Sequence, residues 1–244
     1  INHENLARRD PAFIAQTDAW FAEGAAQQSG VNLDPHVRIP PAFTPFRLRD
    51  MVLENRIAVS PMCMYSADDG TVNDWHLVHL ASRAVGGAGL VIAEMTDVSR
   101  SGRISPGCAG MYKPAHVGAW QRITGFVHAN SGAKIALQLG HAGRKASTKV
   151  LWEGENEPLD DANWDIVGPS PIAYAAANQK PKPMTRDDMA AVTDDYVRAT
   201  AMADEAGFDM IELHMAHGYL LSTFFSPLTN TRTDDYGGSL ENRM

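Results

Sequence analysis

Two histidines three residues apart, His214 and His217, close the apolar run "FDMIELHMAHG", and Tyr219 follows two residues later. Three chemistries use such a set. With Glu212 the pair could hold a metal ion, it could be packed into a core, or two imidazole N–H groups could converge on one oxygen atom. Neither His214-x-x-His217 nor His76-x-x-His79 has the His-Glu-x-x-His spacing of a zinc-protease helix, and Cys63 and Cys108 make no Cys-x-x-Cys knuckle, so no metal is expected in the first reading. A core histidine beside Glu212 must be hydrogen-bonded or its burial costs about 1–3 kcal/mol. An oxygen clamp uses the donors instead: two N–H groups stabilise a carbonyl as it gains negative charge, and a nearby tyrosine delivers a proton. That suits hydride addition to an activated double bond, and because no side chain supplies hydride, a bound flavin or nicotinamide is implied. A metal-dependent hydrolase built on His214, His217 and Glu212 is the alternative enzyme reading, and a non-catalytic scaffold is the third.

Positioning these groups requires strands that end at one rim. Four short apolar runs, "NRIAVSPM", "AGLVIAEMT", "AKIALQLGHAG" and "FDMIELHMAHG", have the look of buried parallel strands. Helix patterns lie between them: "DWHLVHLASRAVGG" with Leu77, Leu80 and Ala84 on one face, "AHVGAWQRITGFVHANSG", and "TRDDMAAVTDDYVRATAMADEAG", which opens on a Thr185/Asp188 capping pattern. A period of two puts Ile211, Leu213 and Met215 on one face of the last strand and Met210, Glu212 and His214 on the other; Ile135, Leu137 and Leu139 likewise oppose Ala136 and Gln138. One apolar face, and one face that turns polar toward its C-terminal end, predicts a TIM (β/α)8 barrel, an α/β fold of which about the first four βα units are present. At its mouth Gln138, Cys63 and Tyr65 would join His214, His217 and Tyr219. The segment from His141 to Lys182 reads as an elaborated loop. "GGAGL" precedes its strand rather than following one, so it reads as a helix stop and not as a dinucleotide fingerprint.

Composition excludes other classes. A net charge of −8 with scattered Lys and Arg gives no concentrated basic field for nucleic acid or an anionic membrane, and no run approaches the 18 or so apolar residues of a membrane span. A cytoplasmic protein with small-molecule partners is expected. Residues 1–37 are polar and Ala-rich, with one amphipathic candidate in "DPAFIAQTDAWFAEGAAQQ"; Pro40, Pro41 and Pro45 mark the boundary to a second region, 38–244. The start at Ile1 and the Ser239/Asn242 helix cap at the far end lead us to expect a piece of a longer protein, with too few strands here to close a barrel or hold a flavin stably.

The stretch "HMAHGYLLSTFFSPLTNTRTDDYGGSLENR" resembles the Old Yellow Enzyme family of FMN-dependent oxidoreductases, as do "NRIAVSPMCMYSADDGTVNDWHLVHLASRAVGGAGLVIAE" and "IALQLGHAGRKA". The likeness covers roughly residues 42–244, and "PMCMYS" is similar to the thermophilic-like branch. The resemblance implies FMN as cofactor and NAD(P)H as reductant. Pro61, Met62 and Cys63 would lie along the flavin, Gln138 would hydrogen-bond its ring, His214 and His217 would hold the substrate oxygen beside the flavin, Tyr219 would donate the proton and Tyr65 would line the pocket. Met95 stands where the family usually carries a small residue, which predicts a disturbed local fit. The family's FMN phosphate grip belongs to strands beyond those present. "NHENLARRDPAFIAQTDAWFAEGAA" is similar to the tail of the FAD monooxygenase domain in fused salicylyl-CoA 5-hydroxylases. That implies an acceptor of the carbonyl-conjugated or aromatic-CoA type, FAD only in a preceding domain, and a homo-oligomer when full length.

Overall fold

The computed structural model describes residues 2–34 and 37–244. Ile1 and His36, the latter the first residue of the proline-rich boundary, lie outside the described residues. Helix α1 (His3–Arg9) is capped by Asn2 and α2 (Pro11–Ser29) by Asp10, whose carboxylate accepts the Phe13 N–H. The buried Asp18 of α2 ties three segments together through His3 (3.0 Å) and Arg38 (2.5 Å). The amphipathic candidate is thus a full helix, and it reaches the next region through Arg47, which donates to the Ser29 carbonyl, and through Phe21, which lies against the Arg56 guanidinium.

An antiparallel hairpin follows, β1 (Phe46–Leu48) and β2 (Met51–Leu53), joined by a turn in which Arg49 is left-handed. The main sheet starts with β3 (Ala58–Val59). It continues through α3 (Asp74–Val85), β4 (Leu90–Asp97), α4 (Ala115–Asn130) and β5 (Lys134–Gly140). An excursion carrying the two-residue strands β6 (Val167–Gly168) and β7 (Lys182–Pro183) leads to α5 (Arg186–Glu205) and β8 (Met210–Leu213), and the short helices α6 (Leu220–Phe225) and α7 (Leu240–Arg243) close the chain. The order β3-β4-β5-β8 is wholly parallel and never reverses. Chain order preserved across the sheet is the arrangement of a TIM (β/α)8 barrel, four of whose parallel strands are present, whereas a doubly wound sheet reverses at a switch point.

The helices form where the pattern predicts, for local reasons. Thr185 Oγ1 accepts the Asp188 N–H while the Asp188 carboxylate accepts the Thr185 N–H, and Asn73 with His76 makes the equivalent box on α3. The glycines of "GGAGL" end α3 and turn the chain: Gly87 has φ 96°, and a Cβ on Gly89 would sit 2.3 Å from the Asn55 carbonyl oxygen. Outward residues Val91, Ala93, Ile135, Leu137 and Leu139 pack with Leu80, Trp120, Ile123, Val127, Ala199 and Ala203 of the three helices. Each large side chain buried there stabilises the fold by about 1.5–3 kcal/mol. Inward residues Leu90 and Ala136, with Ile92 and Met210 beside them, meet Leu53, Phe46 and Met51 of the hairpin, which plugs the N-terminal end of the sheet's inner face. Leu213 and Met215, expected on the covered face, are 49% and 44% exposed, because β8 is the outer strand and has a sheet neighbour on one side only among the described residues. No helix is long and apolar enough to cross a membrane among those residues.

Candidate active site

β8 ends at Leu213, and the chain passes into a tight turn. The His214 N–H still donates to the Leu139 carbonyl, continuing the ladder with β5 (2.9 Å), while the Ala216 N–H donates to His214 Nδ1 (3.2 Å). With Nδ1 accepting, the proton of a neutral imidazole sits on Nε2, so His214 presents an N–H donor beyond the strand end. Burial and then the neighbouring His217 lower its pKa, which keeps the ring neutral. His217 takes a left-handed conformation (φ 57°) followed by Gly218 (φ 75°), and Lys145 Nζ donates to the His217 carbonyl (3.3 Å). Left-handed backbone costs a residue with a side chain about 1–2 kcal/mol, and such strain collects at functional sites. Here it folds the His217 ring to 4.9 Å from His214 and brings Tyr219 to 4.8 Å from His214 and 6.1 Å from His217, centroid to centroid. Burial raises the Tyr219 pKa well above that of a free phenol, so its hydroxyl keeps its proton near neutral pH.

The predicted rim assembles from three strands. Cys63, Tyr65 and Tyr219 pack against one cluster with Met95, Ile104, Cys108, Ala142, Ala146 and Ile166. Tyr65 is also left-handed (φ 49°), and Gly107 makes this possible: a Cβ there would lie 2.3 Å from the Tyr65 carbonyl oxygen. The Cys63 thiol is pushed up to about 12, chiefly by burial, and remains a neutral S–H. Pro61 is half-buried and Met62 is 50% exposed on the loop leading to Cys63. Gln138 is buried, and its Nε2 donates to Glu212 Oε1 (2.5 Å) across paired register positions, which leaves the amide oxygen as its free acceptor. Met95 does not crowd the site as its length predicts. It is 2% exposed and lies over Gly140, where a Cβ would be 2.6 Å from Met95 Cγ, so the glycine makes room for the longer side chain. Glu212 is turned to Gln138, and among the described residues no three His, Cys, Asp or Glu side chains come together in a way that could hold a metal ion.

Sequence reasoning missed the layer beneath. Glu94 is buried with its Oε2 accepting the Met64 N–H (3.3 Å) and lying 3.5 Å from His76 Nε2; burial raises its pKa to about 8 and lowers that of His76 to about 4. Asp97, fully buried with both carboxylate oxygens unpartnered, is also raised, first by desolvation. Glu94 therefore supports the loop that carries Cys63 and Tyr65. The only hint in the sequence is an acid inside the apolar run "AGLVIAEMT".

The ring-binding part of an FMN site fits these residues: neutral donors, an amide from β5, an apolar loop and a glycine at the end of β5. Comparison with known proteins gives the same direction. Residues 41–244 match the profile described as the NADH:flavin oxidoreductase / NADH oxidase family. The chain is 45% identical over 203 residues to an NADPH dehydrogenase of Listeria monocytogenes serovar 1/2a, covering 82% of this chain and 56% of the relative. Among solved structures it is similar to an Old Yellow Enzyme from Pichia sp. AKU4542 (TM-score 0.73, 32% identity, 83% of this chain and 53% of that one). It is equally similar to morphinone reductase in complex with tetrahydroNAD (TM-score 0.73, 31% identity, 84% and 57%). The chain spans about half the length of the curated relatives it matches.

Proposed function

The chain belongs to the NADH:flavin oxidoreductase / NADH oxidase family, and from that premise we propose that it forms the acceptor side of an FMN-dependent NAD(P)H oxidoreductase active site. The Ala216 N–H on His214 Nδ1 carries this reading, because it fixes the tautomer that turns a donor toward the mouth of the sheet. Pro61, Met62, Cys63 and Gln138 would hold the ring of FMN, which when bound would supply hydride transfer between NAD(P)H and an electron-poor acceptor. His214 and His217 bind the acceptor oxygen and stabilise the negative charge that develops on it. Tyr219, protonated and 4.8 Å from His214 between ring centroids, gives up the phenolic proton, while Tyr65 lines the pocket. The chain's own residues thus do three things: bind, polarise and protonate.

The acceptor class we infer is a carbonyl-conjugated or aromatic-CoA compound. Helices α1 and α2 precede the matched region 41–244 and suit the tail of a preceding flavin monooxygenase domain, the arrangement of a bifunctional salicylyl-CoA hydroxylase in a cytoplasmic homo-oligomer. His214→Ala is expected to abolish tight binding of phenolic ligands while the flavin stays bound, and Tyr219→Phe to slow acceptor reduction about 10²–10⁴-fold while phenol binding persists. Phenol titrations followed in the flavin spectrum check both; unchanged phenol affinity in His214→Ala removes the clamp.

A further inference from the structure

The loop after β5 carries two adjacent cations, Arg144 and Lys145, that both lie against one aromatic ring. Arg144 lies 5.6 Å and Lys145 Nζ 4.6 Å from the Tyr174 centroid, and Lys145 Nζ also lies 5.0 Å from the Tyr219 centroid. Both abut the clamp, since a Cβ on Gly218, the residue after His217, would be 3.9 Å from Arg144 Nη2 and from Lys145 Cδ. Their hydrogen bonds go to the Ala173 and His217 carbonyls, one each. Neither forms an ion pair with a carboxylate among the described residues, although the chain holds 29 acidic side chains against 21 basic ones. Arg144 Nε is buried with no partner, and desolvation lowers the Arg144 pKa. Two half-buried cations without a counter-charge are costly, and an anion that docks there relieves the cost. A cleft of about 550 Å³ opens beside them, lined by Arg144, Tyr174, Gly218 and Ser222.

We propose that Arg144 and Lys145, stacked on Tyr174, form a binding subsite for the phosphate groups of a ligand whose reactive ring lies in the His214–His217 clamp. This rests on the oxidoreductase reading above. A guanidinium fork beside an ammonium suits a diphosphate, whose several oxygens accept from both at once. Both reactants of that reading can bring one: the nicotinamide dinucleotide that reduces the flavin, and a coenzyme A thioester acceptor. Tyr174 lies within cation–π distance of both cations, and Lys145 ties the subsite to the clamp through the His217 carbonyl.

The test uses the complete FMN-loaded protein and paired ligands that differ in phosphate. Flavin reduction by NADPH is compared with reduction by N-benzyl-dihydronicotinamide, which has none, and reoxidation by an aromatic CoA thioester with reoxidation by the matching N-acetylcysteamine thioester. In Arg144→Gln and Lys145→Gln the ratio of the second-order rate constants, phosphate-bearing over phosphate-free, is expected to fall about tenfold for at least one pair, with the ratio recovering in Arg144→Lys. A fall confined to the first pair assigns the subsite to the reductant, and a fall confined to the second assigns it to the acceptor. Raising the ionic strength should lower the same ratio in the wild type and less in the variants. Ratios within about twofold of wild type for both pairs overturn the proposal, as does an equal loss for both members of each pair. A wild-type flavin that neither donor reduces contradicts the oxidoreductase reading instead.

Discussion

His76, His116, His141 and His214 each accept a main-chain N–H at Nδ1, from Asn73, Tyr112, Gly143 and Ala216, and burial lowers the pKa of all four. The main chain thereby chooses their tautomer, and they act as neutral N–H donors near neutral pH. For His76, His116 and His141, lowered to about 4, the protein loses stability as pH falls from 6.5 toward 4, because only the unfolded chain takes up those protons. Glu94 slopes the other way. Its carboxyl, raised from 4.5 to about 8, keeps its proton in the folded state, so stability is lost as pH rises from 4.5 to about 8, by roughly 1.4 kcal/mol per unit at most. Glu94→Gln is expected to remove that slope, unfolding at a higher temperature than wild type at pH 9 and at a similar one at pH 4.5. Parallel curves of unfolding temperature against pH would mean that Glu94 is ionised in the fold. The triad of His214, His217 and Tyr219 was legible because all three lie within six residues at the end of one apolar run. Glu94 was not, because the sequence does not show that the loop through Met64 covers it.

Among the elements, those fixed by local rules matched expectation. α3 and α5 begin at their capping boxes, β5 falls inside its apolar run, and β4 runs one residue past its own, to Asp97. The hairpin β1–β2 was read only as a proline-marked boundary, since three-residue strands have too few positions to show a period and Leu53 becomes apolar core only by meeting Leu90 and Ala136. β6 and β7, two residues each, have the same problem inside the long excursion. The left-handed Tyr65 depends on contact with Gly107, forty-two residues away in the chain, and the period of neither segment reports it. Gly107→Ala must push the Tyr65 carbonyl aside. Steady-state kinetics should show the acceptor KM raised about tenfold or more, with a smaller effect on flavin reduction by NADPH, if Tyr65 lines the acceptor pocket. An unchanged acceptor KM would mean that this loop moves without consequence for the pocket.

At the scale of the molecule, four parallel strands carry their polar side chains to one end, and the hairpin closes the other. Cys63, Tyr65 and Tyr219, which follow separate strands, share one cluster at the polar end because a parallel sheet aligns all its C-terminal ends on the same side. α1 and α2 are attached to this body through Ser29 and Phe21 rather than through the site, which is consistent with a role outside the chemistry. In the proposed function the His214–His217–Tyr219 rim faces a bound, reducible flavin. Anaerobic titration of the complete protein with NADPH, followed in the visible spectrum alongside metal analysis, tests this most directly. The complete protein is expected to be yellow, with FMN near one per chain, to bleach on NADPH and to recover its colour when an activated acceptor is added. A colourless protein carrying stoichiometric zinc, or a flavin that NADPH does not bleach, would contradict the proposed function.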